Sequence, residues 1–311
     1  MKQTVVAVVG PTAVGKTSLS VEIAKRFNGE VISGDSMQIY SGMDIGTAKI
    51  TENEKQKIPH HMIDIKDPSD SFSVADFQSN VDTYINLISE RNHLPIIAGG
   101  TGLYIQAALY SYNFSENKRD DSYQKNIERE IEIEGIQKVY EKLQRIDPEQ
   151  AKRIHPNNVR RVIRALEVFD RTGMTMSEYH DKQRVNSPYN LILIGLEMDR
   201  EMLYNRINNR VDTMLENGLL KEVKYFYEKG LEDRQSMKAI GYKELIPYFK
   251  GEKSLAESIE LLKQNSRRFA KRQYTWFKNK MDVDWYSITV DSKEEKFEII
   301  LNDLAGKLKN K

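Results

Sequence analysis

Four stretches of the chain are apolar without alternation: "TVVAVVG" (4–10), "GEVISGD" (29–35), "LPIIAGG" (94–100) and "NLILIGLEM" (190–198). Each is short and rich in Val or Ile, and three run into Gly or Asp. Unbroken apolar runs of this length predict strands buried on both faces, as in a parallel sheet. Helical periodicity separates them, clearest over 17–27 and 74–91. The alternation predicts an α/β fold, a parallel sheet flanked by helices. Ligands of such sheets bind at the carboxyl ends of the strands, so Gly10–Thr17, Asp35 and Gly99–Thr101 are expected to converge on one crevice.

From about 113 to 185 the pattern changes to charged, helical and strand-free. The reading is an all-helical insertion (113–185) in a core made of 1–112 and 186–311. After 198 the chain is again helical to about 280, with breaks near Gly230, Gly241 and Gly251. A short strand and a closing helix follow. No internal repeat stands out.

Composition narrows the class. The 311 residues are 39% hydrophobic and 30% charged, with no apolar run near the roughly 20 residues a membrane helix needs. The first apolar run leads directly into a glycine loop, not a cleavage site, so a cytoplasmic protein with no membrane partner is expected. With no cysteine, disulfides, thiolate zinc sites and Cys nucleophiles are excluded. A net charge of +1 gives no global signal for nucleic acid, though local clusters act at short range.

The octet Gly10-Pro11-Thr12-Ala13-Val14-Gly15-Lys16-Thr17, followed by Ser18, fits the phosphate-cradling loop G-x-x-x-x-G-K-[ST] in its required context, strand before and helix after. Its N–H groups and the helix N-terminus suit phosphate oxygens. Lys16 supplies a charge and Thr17 a hydroxyl for Mg²⁺ or for an oxygen. A nucleotide is the default ligand, but another diphosphate fits equally.

A carboxylate at Asp35 has two ordinary roles beside a phosphate site, holding Mg²⁺ or taking a proton from a nucleophile. Ser36, Met37, Gln38 and Tyr40 follow it and suit contact with a base. In "IIAGGTGLY", the glycines let backbone approach an anion and the Thr101 hydroxyl can donate to an oxygen that gains charge. On these residues alone a small-molecule kinase is the natural rival. A nucleotide-driven RNA-binding switch is a second.

The blocks "GPTAVGKT", "VISGDSMQIYSGMDIGTAK", "IPHHMIDI", "FSVADFQ", "IIAGGTGLY", "NNVRRVIRALEV", "KAIGYKE" and "AKRQYTWF" resemble, in order and over nearly the whole chain, the tRNA dimethylallyltransferase (tRNA isopentenyltransferase, IPP transferase) family. The resemblance implies a P-loop NTPase-like core with a helical insertion that binds the anticodon stem-loop. It implies transfer of a dimethylallyl group from dimethylallyl diphosphate to the exocyclic N6 amine of the adenosine just 3′ of the anticodon, in tRNAs reading codons that begin with U. The loop then holds the prenyl diphosphate, with Lys16, Thr17 and Mg²⁺ neutralising its charge. Thr101 lies near the oxygen of the breaking bond, and Arg210 matches a diphosphate-binding Arg that Arg206 can share. Asp35 is the choice for general base, and Met37, Gln38 and Tyr40 are candidate contacts to a flipped base. A cousin family, adenylate isopentenyltransferase, acts on free nucleotide.

Two basic clusters are candidate RNA contacts. One is Val159, Arg160, Arg161, Val162, Ile163 and Arg164, extended by Lys152 and Arg153. The other is Arg267, Arg268, Lys271, Arg272 and Gln273, interleaved with Phe269, Tyr274 and Trp276. Without the resemblance both read as solvated helix faces; with it, as phosphate contact and base stacking. Ser36 and Thr101 join the tRNA-facing set, and the protein is expected to be a monomer. His60 and His61 have no nearby third ligand except Asp64, and adjacent histidines on a helix or strand cannot both face one site, which argues against a metal.

Overall fold

A computed structural model describes residues 2–112, 121–181, 186–289 and 291–309. In chain order the elements are β1 (Thr4–Val9), α1 (Lys16–Arg26), β2 (Gly29–Ser33), α2 (Glu52–Lys55), β3 (His60–His61), α3 (Val74–Glu90), β4 (Leu94–Gly99) and α4 (Gly102–Leu109). Then come α5 (Asp121–Glu134), α6 (Ile136–Ile146), α7 (Pro148–Arg153), α8 (Val159–Thr172) and α9 (Met176–Asp181). The chain closes with β5 (Asn190–Glu197), α10 (Arg200–Glu216), α11 (Leu219–Glu228), α12 (Ile246–Phe249), α13 (Leu255–Lys280), β6 (Asp284–Ser287) and α14 (Lys293–Lys309).

The strands form one parallel sheet in the order β3-β2-β4-β1-β5-β6. β1 is central because it is apolar at every position from Val5 to Val9. Val5, Ala7 and Val9 enter one core with Ile39, Tyr40, Phe77, Tyr242 and Phe277, while Val6 and Val8 enter the other with Leu19, Ile23, Phe297 and Ile300. Successive strand residues point to opposite faces, so a strand covered on both sides must be apolar throughout. The order makes β1 and β4 neighbours and sends β2 to the far side of β4, so the ends of all three meet over one stretch of sheet edge. Gly99 lets β4 come close to β2, since a Cβ there would sit 2.3 Å from the Gly34 carbonyl.

Two local outcomes differ from the pattern. The second strand stops at Ser33; the Gly34 N–H still donates to the Ala98 carbonyl of β4 at 2.8 Å, and the chain bends away at Ser36 and Met37. β3 has only two residues, too few to show a periodicity. Among the described residues, breaks with positive φ fall at Gly218 as well as Gly230, Gly241 and Gly251.

The chain divides into two compact units, 1–111 with 187–311, and 112–186. The second holds α5 to α9, with no strand among its described residues and a core of Val139, Tyr140, Leu143, Ala151, Ile154, Val162, Ala165 and Leu166. Asp147 caps α7 and accepts bonds from the Ser177 N–H (2.9 Å) and hydroxyl (2.7 Å). Residues 113–120 and 182–185 of the predicted insertion lie outside the described residues. No helix among the described residues is long and apolar enough to cross a membrane.

Candidate active site

The loop after β1 turns on Gly10 (φ 141°), Ala13 (φ 65°) and Gly15 (φ 110°). A Cβ at Gly10 would lie 2.5 Å from the Leu196 carbonyl oxygen, so only glycine fits there. Lys16 opens α1 and donates to the Pro11 carbonyl at 2.7 Å, keeping two protons for a ligand. Its pKa is lowered to about 7 by burial and by the Arg210 charge, with Asp35 pulling the other way. Thr17 and Ser18 are exposed in the first turn.

At the end of β2, Asp35 accepts from the Met37 N–H at 2.8 Å through one carboxylate oxygen. Burial raises its pKa; the Met37 N–H and the charges of Lys16 and Arg210 hold it back. After β4, the Thr101 hydroxyl oxygen accepts from the Ser36 N–H at 3.2 Å. Its proton faces only the Ser36 oxygen, at a long 3.5 Å. Asp35 and Thr101 are thus joined through one turn, a carboxylate beside a hydroxyl with a donor to spare.

α10 supplies two cations. Arg206 donates to the Ala13 carbonyl at 3.0 Å and Arg210 to the Thr12 hydroxyl at 3.3 Å, one helical turn apart. Arg206 is spent holding the loop. Arg210 lines a cavity of about 280 Å³ together with Thr12, Asp35, Ser36, Met37 and Thr101. The remaining wall mixes apolar side chains, Ile207, Val211, Met214, Ala239, Ile240, Leu262 and Phe269, with Thr47, Lys238, Lys243, Ser266 and Arg272. Arg210 and a carboxylate stand beside the apolar face of α10, with further cations, Lys238, Lys243 and Arg272, elsewhere in the lining. Two oxygen donors, Thr17 and the Asp35 carboxylate, suit a hard cation such as Mg²⁺, which commonly keeps waters and substrate oxygens as its other ligands. No cluster of three His, Asp or Glu suited to a metal occurs among the described residues.

A family model described as IPP transferase matches residues 38–280. The chain belongs to the IPP transferase family. A protein of Oceanobacillus iheyensis named tRNA dimethylallyltransferase is 58% identical over 311 residues, covering 100% of this chain and 99% of that protein. The crystal structure of tRNA isopentenylpyrophosphate transferase from Bacillus halodurans is similar with a TM-score of 0.75 at 52% identity, covering 100% of this chain and 98% of that one. A eukaryotic dimethylallyltransferase, described as acting on tRNA, aligns with a TM-score of 0.84 at 32% identity over 98% of this chain and 80% of its own.

For this IPP transferase fold the structure sorts the candidate RNA contacts. Arg160 and Arg161 are exposed on α8 with no ion pair among the described residues. Arg164 instead pairs with the buried Glu167 at 2.8 Å. Val162 and Ile163 are corrected from ligand contacts to interior positions, 0% and 4% exposed, because the helix turns its apolar stripe inward; Val159 is half-buried. Lys152 pairs with Glu149, and Arg153 is exposed. On α13, Arg268, Lys271 and Arg272 are exposed, while Arg267 is held by Asn208 (2.7 Å) and Glu260 (3.1 Å).

Gln273 and Gln38 are corrected too. Gln273 is 5% exposed; its oxygen accepts from the Thr12 N–H (2.8 Å) and its amide donates to the Gly100 carbonyl (3.1 Å). It pins the phosphate loop to the β4–α4 turn and has nothing left for RNA. Gln273→Leu leaves both backbone groups unpaired and is expected to destabilise by about 1–3 kcal/mol in urea unfolding. Gln273→Glu keeps the Thr12 bond and is expected to recover part of the loss. The Gln38 amide is likewise consumed, accepting from Ser33 (2.8 Å) and donating to the Thr47 and Ala48 carbonyls (3.2 and 3.3 Å). Tyr40 is fully buried and also belongs to the core. Met37 and Ser36 remain in the cavity wall.

Several site residues carried no individual signal in the sequence. Glu222 on α11 accepts from the Asp44, Ile45 and Gly46 N–H groups at 2.8–2.9 Å and from the Tyr242 hydroxyl, fixing the loop that carries Thr47 to the cavity. In "LLKEVKYFYE" it reads as an ordinary helix-face glutamate. Lys238 and Lys243 stand at the rim; the "KAIGYKE" block marked that region without assigning a residue. His60 and His61 form β3, where His61 pairs with Glu30 (2.6 Å) beside Arg91 and His93.

Proposed function

We propose that the protein transfers a dimethylallyl group from dimethylallyl diphosphate to the N6 amine of the adenosine immediately 3′ of the anticodon in tRNAs reading U-starting codons, releasing diphosphate. The observation that carries this reading is the cavity itself. Arg210, whose charge Lys16 feels, marks its anion end, Asp35 and Thr101 flank it, and the α10 face beyond, Ile207, Val211 and Met214, is apolar. A nucleoside triphosphate has no apolar tail to fill such a wall; an allylic diphosphate does.

The roles follow from the chemistry of the bonds. As the C–O bond breaks, charge builds on the diphosphate oxygen, and Thr101 donates its free proton there while Lys16, Arg210 and the loop N–H groups of 13–17 hold the rest. Thr17 would hold a Mg²⁺ ion, which would supply further charge neutralisation. The adenine amine is a weak nucleophile because its lone pair is delocalised into the ring. Asp35 accepts its proton as the N–C bond forms, and pKa elevation by burial strengthens it as a base. The base must leave its stack to reach Asp35, with Ser36 and Met37 beside it. The protein acts as a cytoplasmic monomer.

Phosphate contacts are assigned to Arg160, Arg161, Arg268, Lys271 and Arg272, the exposed cations of the two clusters. Arg160→Ala with Arg161→Ala is expected to flatten the plot of log affinity against log salt by about 0.7–0.9 per contact removed. Filter binding of unmodified tRNA at several salt concentrations reads this. Arg164→Ala is expected to act on stability instead, by removing the nearer of the two cations paired with Glu167 and leaving Arg171 at 4.0 Å. The activity is tested with labelled dimethylallyl diphosphate and tRNA that carries or lacks the target adenosine. Label confined to the former supports the reading, and label on free AMP alone points to the adenylate enzyme.

A further inference from the structure

We propose that Met214, backed by Leu262, is the ruler that limits the transferred chain to one isoprene unit. The proposal rests on the prenyl-transfer reading of the cavity and adds the residues that select the donor. Ile207, Val211 and Met214 lie at i, i+4 and i+7 on α10, and all three line the cavity. α13 runs antiparallel to α10, fixed by Arg267 to Asn208 (2.7 Å) and Lys263 to Asp212 (2.6 Å). That register sets Leu262 across from the Met214 turn and leaves Phe269 back toward the phosphate loop. Ala239 and Ile240 close the side.

The polar end is fixed by Arg210 on Thr12. Adenine meets Asp35 and Thr101, which leaves the α10–α13 wall for the chain. From Arg210 to Met214 is one turn, about 6 Å along the helix. A dimethylallyl chain has four carbons in line and spans about 5 Å; a geranyl chain needs about twice that. One isoprene unit therefore ends against Met214, and a second must displace it. Val211 and Leu262 are 3% and 2% exposed, packed into the core, and cannot withdraw. Met214 is half-buried, the part of the wall whose removal opens space.

Geranyl transfer balances as dimethylallyl transfer does. The C1–O bond breaks with its electron pair going to diphosphate, the N6–C1 bond forms, and the N6 proton passes to Asp35. The test compares labelled dimethylallyl and geranyl diphosphate on one unmodified tRNA, using the full chain as wild type, Met214→Ala and Leu262→Ala. The ratio of kcat/KM, geranyl over dimethylallyl, is expected to rise about tenfold or more in Met214→Ala, with a smaller rise in Leu262→Ala. Dimethylallyl transfer itself falls as contacts are lost, so the ratio is the readout. Should Met214→Ala not fold, Met214→Val makes the same comparison with a smaller deletion. A ratio unchanged in folded variants that still transfer dimethylallyl overturns the ruler. A wild-type protein that labels tRNA from neither donor overturns the prenyl-transfer reading beneath it.

Discussion

Asp35→Asn is expected to lower kcat by about 10²–10⁴-fold, the usual contribution of a positioned base, while tRNA affinity changes little. Asparagine keeps the shape and can still accept from the Met37 N–H, so the turn that joins Asp35 to Ser36 and Thr101 survives. The proton acceptor is lost, and with it the negative charge beside Lys16. The wild-type rate is expected to fall as pH drops through the Asp35 pKa, which burial sets above its ordinary 3.8, and this acid limb should be absent in the variant. Single-turnover kinetics across pH reads both effects. Wild-type kcat in Asp35→Asn removes Asp35 from the base role.

Lys16→Met is expected to lower kcat/KM for the diphosphate by about 10²–10³-fold, since a charge aimed at the leaving group is lost from a water-poor site. In the free protein Lys16 loses its proton at about pH 7. Donor capture by the wild type should therefore weaken above that pH, and the methionine variant should not show this limb. Asp35→Asn removes the charge that raises the Lys16 pKa, and so moves the limb to lower pH. The stability sign is opposite in sense. The unfolded chain holds the Lys16 proton up to its ordinary 10.5 and the fold releases it at about 7. Between these values the unfolded state binds more protons, so stability from this group rises with pH. At pH 7 the buried cation is a burden, and Lys16→Met is expected to raise the thermal midpoint while abolishing function, a trade common at active sites.

The sheet was legible because its strands are buried on both faces, which forces unbroken apolar runs such as "VVAVV". The phosphate loop was legible because glycine is obligatory where Gly10 meets the Leu196 carbonyl. Asp35 and Thr101 were placed by topology, as residues just past strand ends. Sequence could not show which side chains are already spent. Gln273 and Gln38 read as polar groups near a ligand, yet Gln273 bridges the backbone of two loops and Gln38 ties the Ser33 hydroxyl to the Thr47 and Ala48 carbonyls. Arg160 and Arg164 look alike in "VRRVIRALE"; only the fold shows that Arg164 is held by Glu167. Likewise β3, two residues long, and the Glu222 brace depend on chain segments far apart in sequence, and local pattern carries no trace of them.

The most direct measurement places purified protein, Mg²⁺ and unmodified tRNA bearing the target adenosine in two tubes, one with labelled dimethylallyl diphosphate and one with labelled ATP. Label carried into tRNA from the first, with ATP left intact in the second, is the predicted result and assigns the loop to a prenyl diphosphate. ATP consumed and no label in tRNA would contradict the account and take from Asp35 and Thr101 the roles given to them.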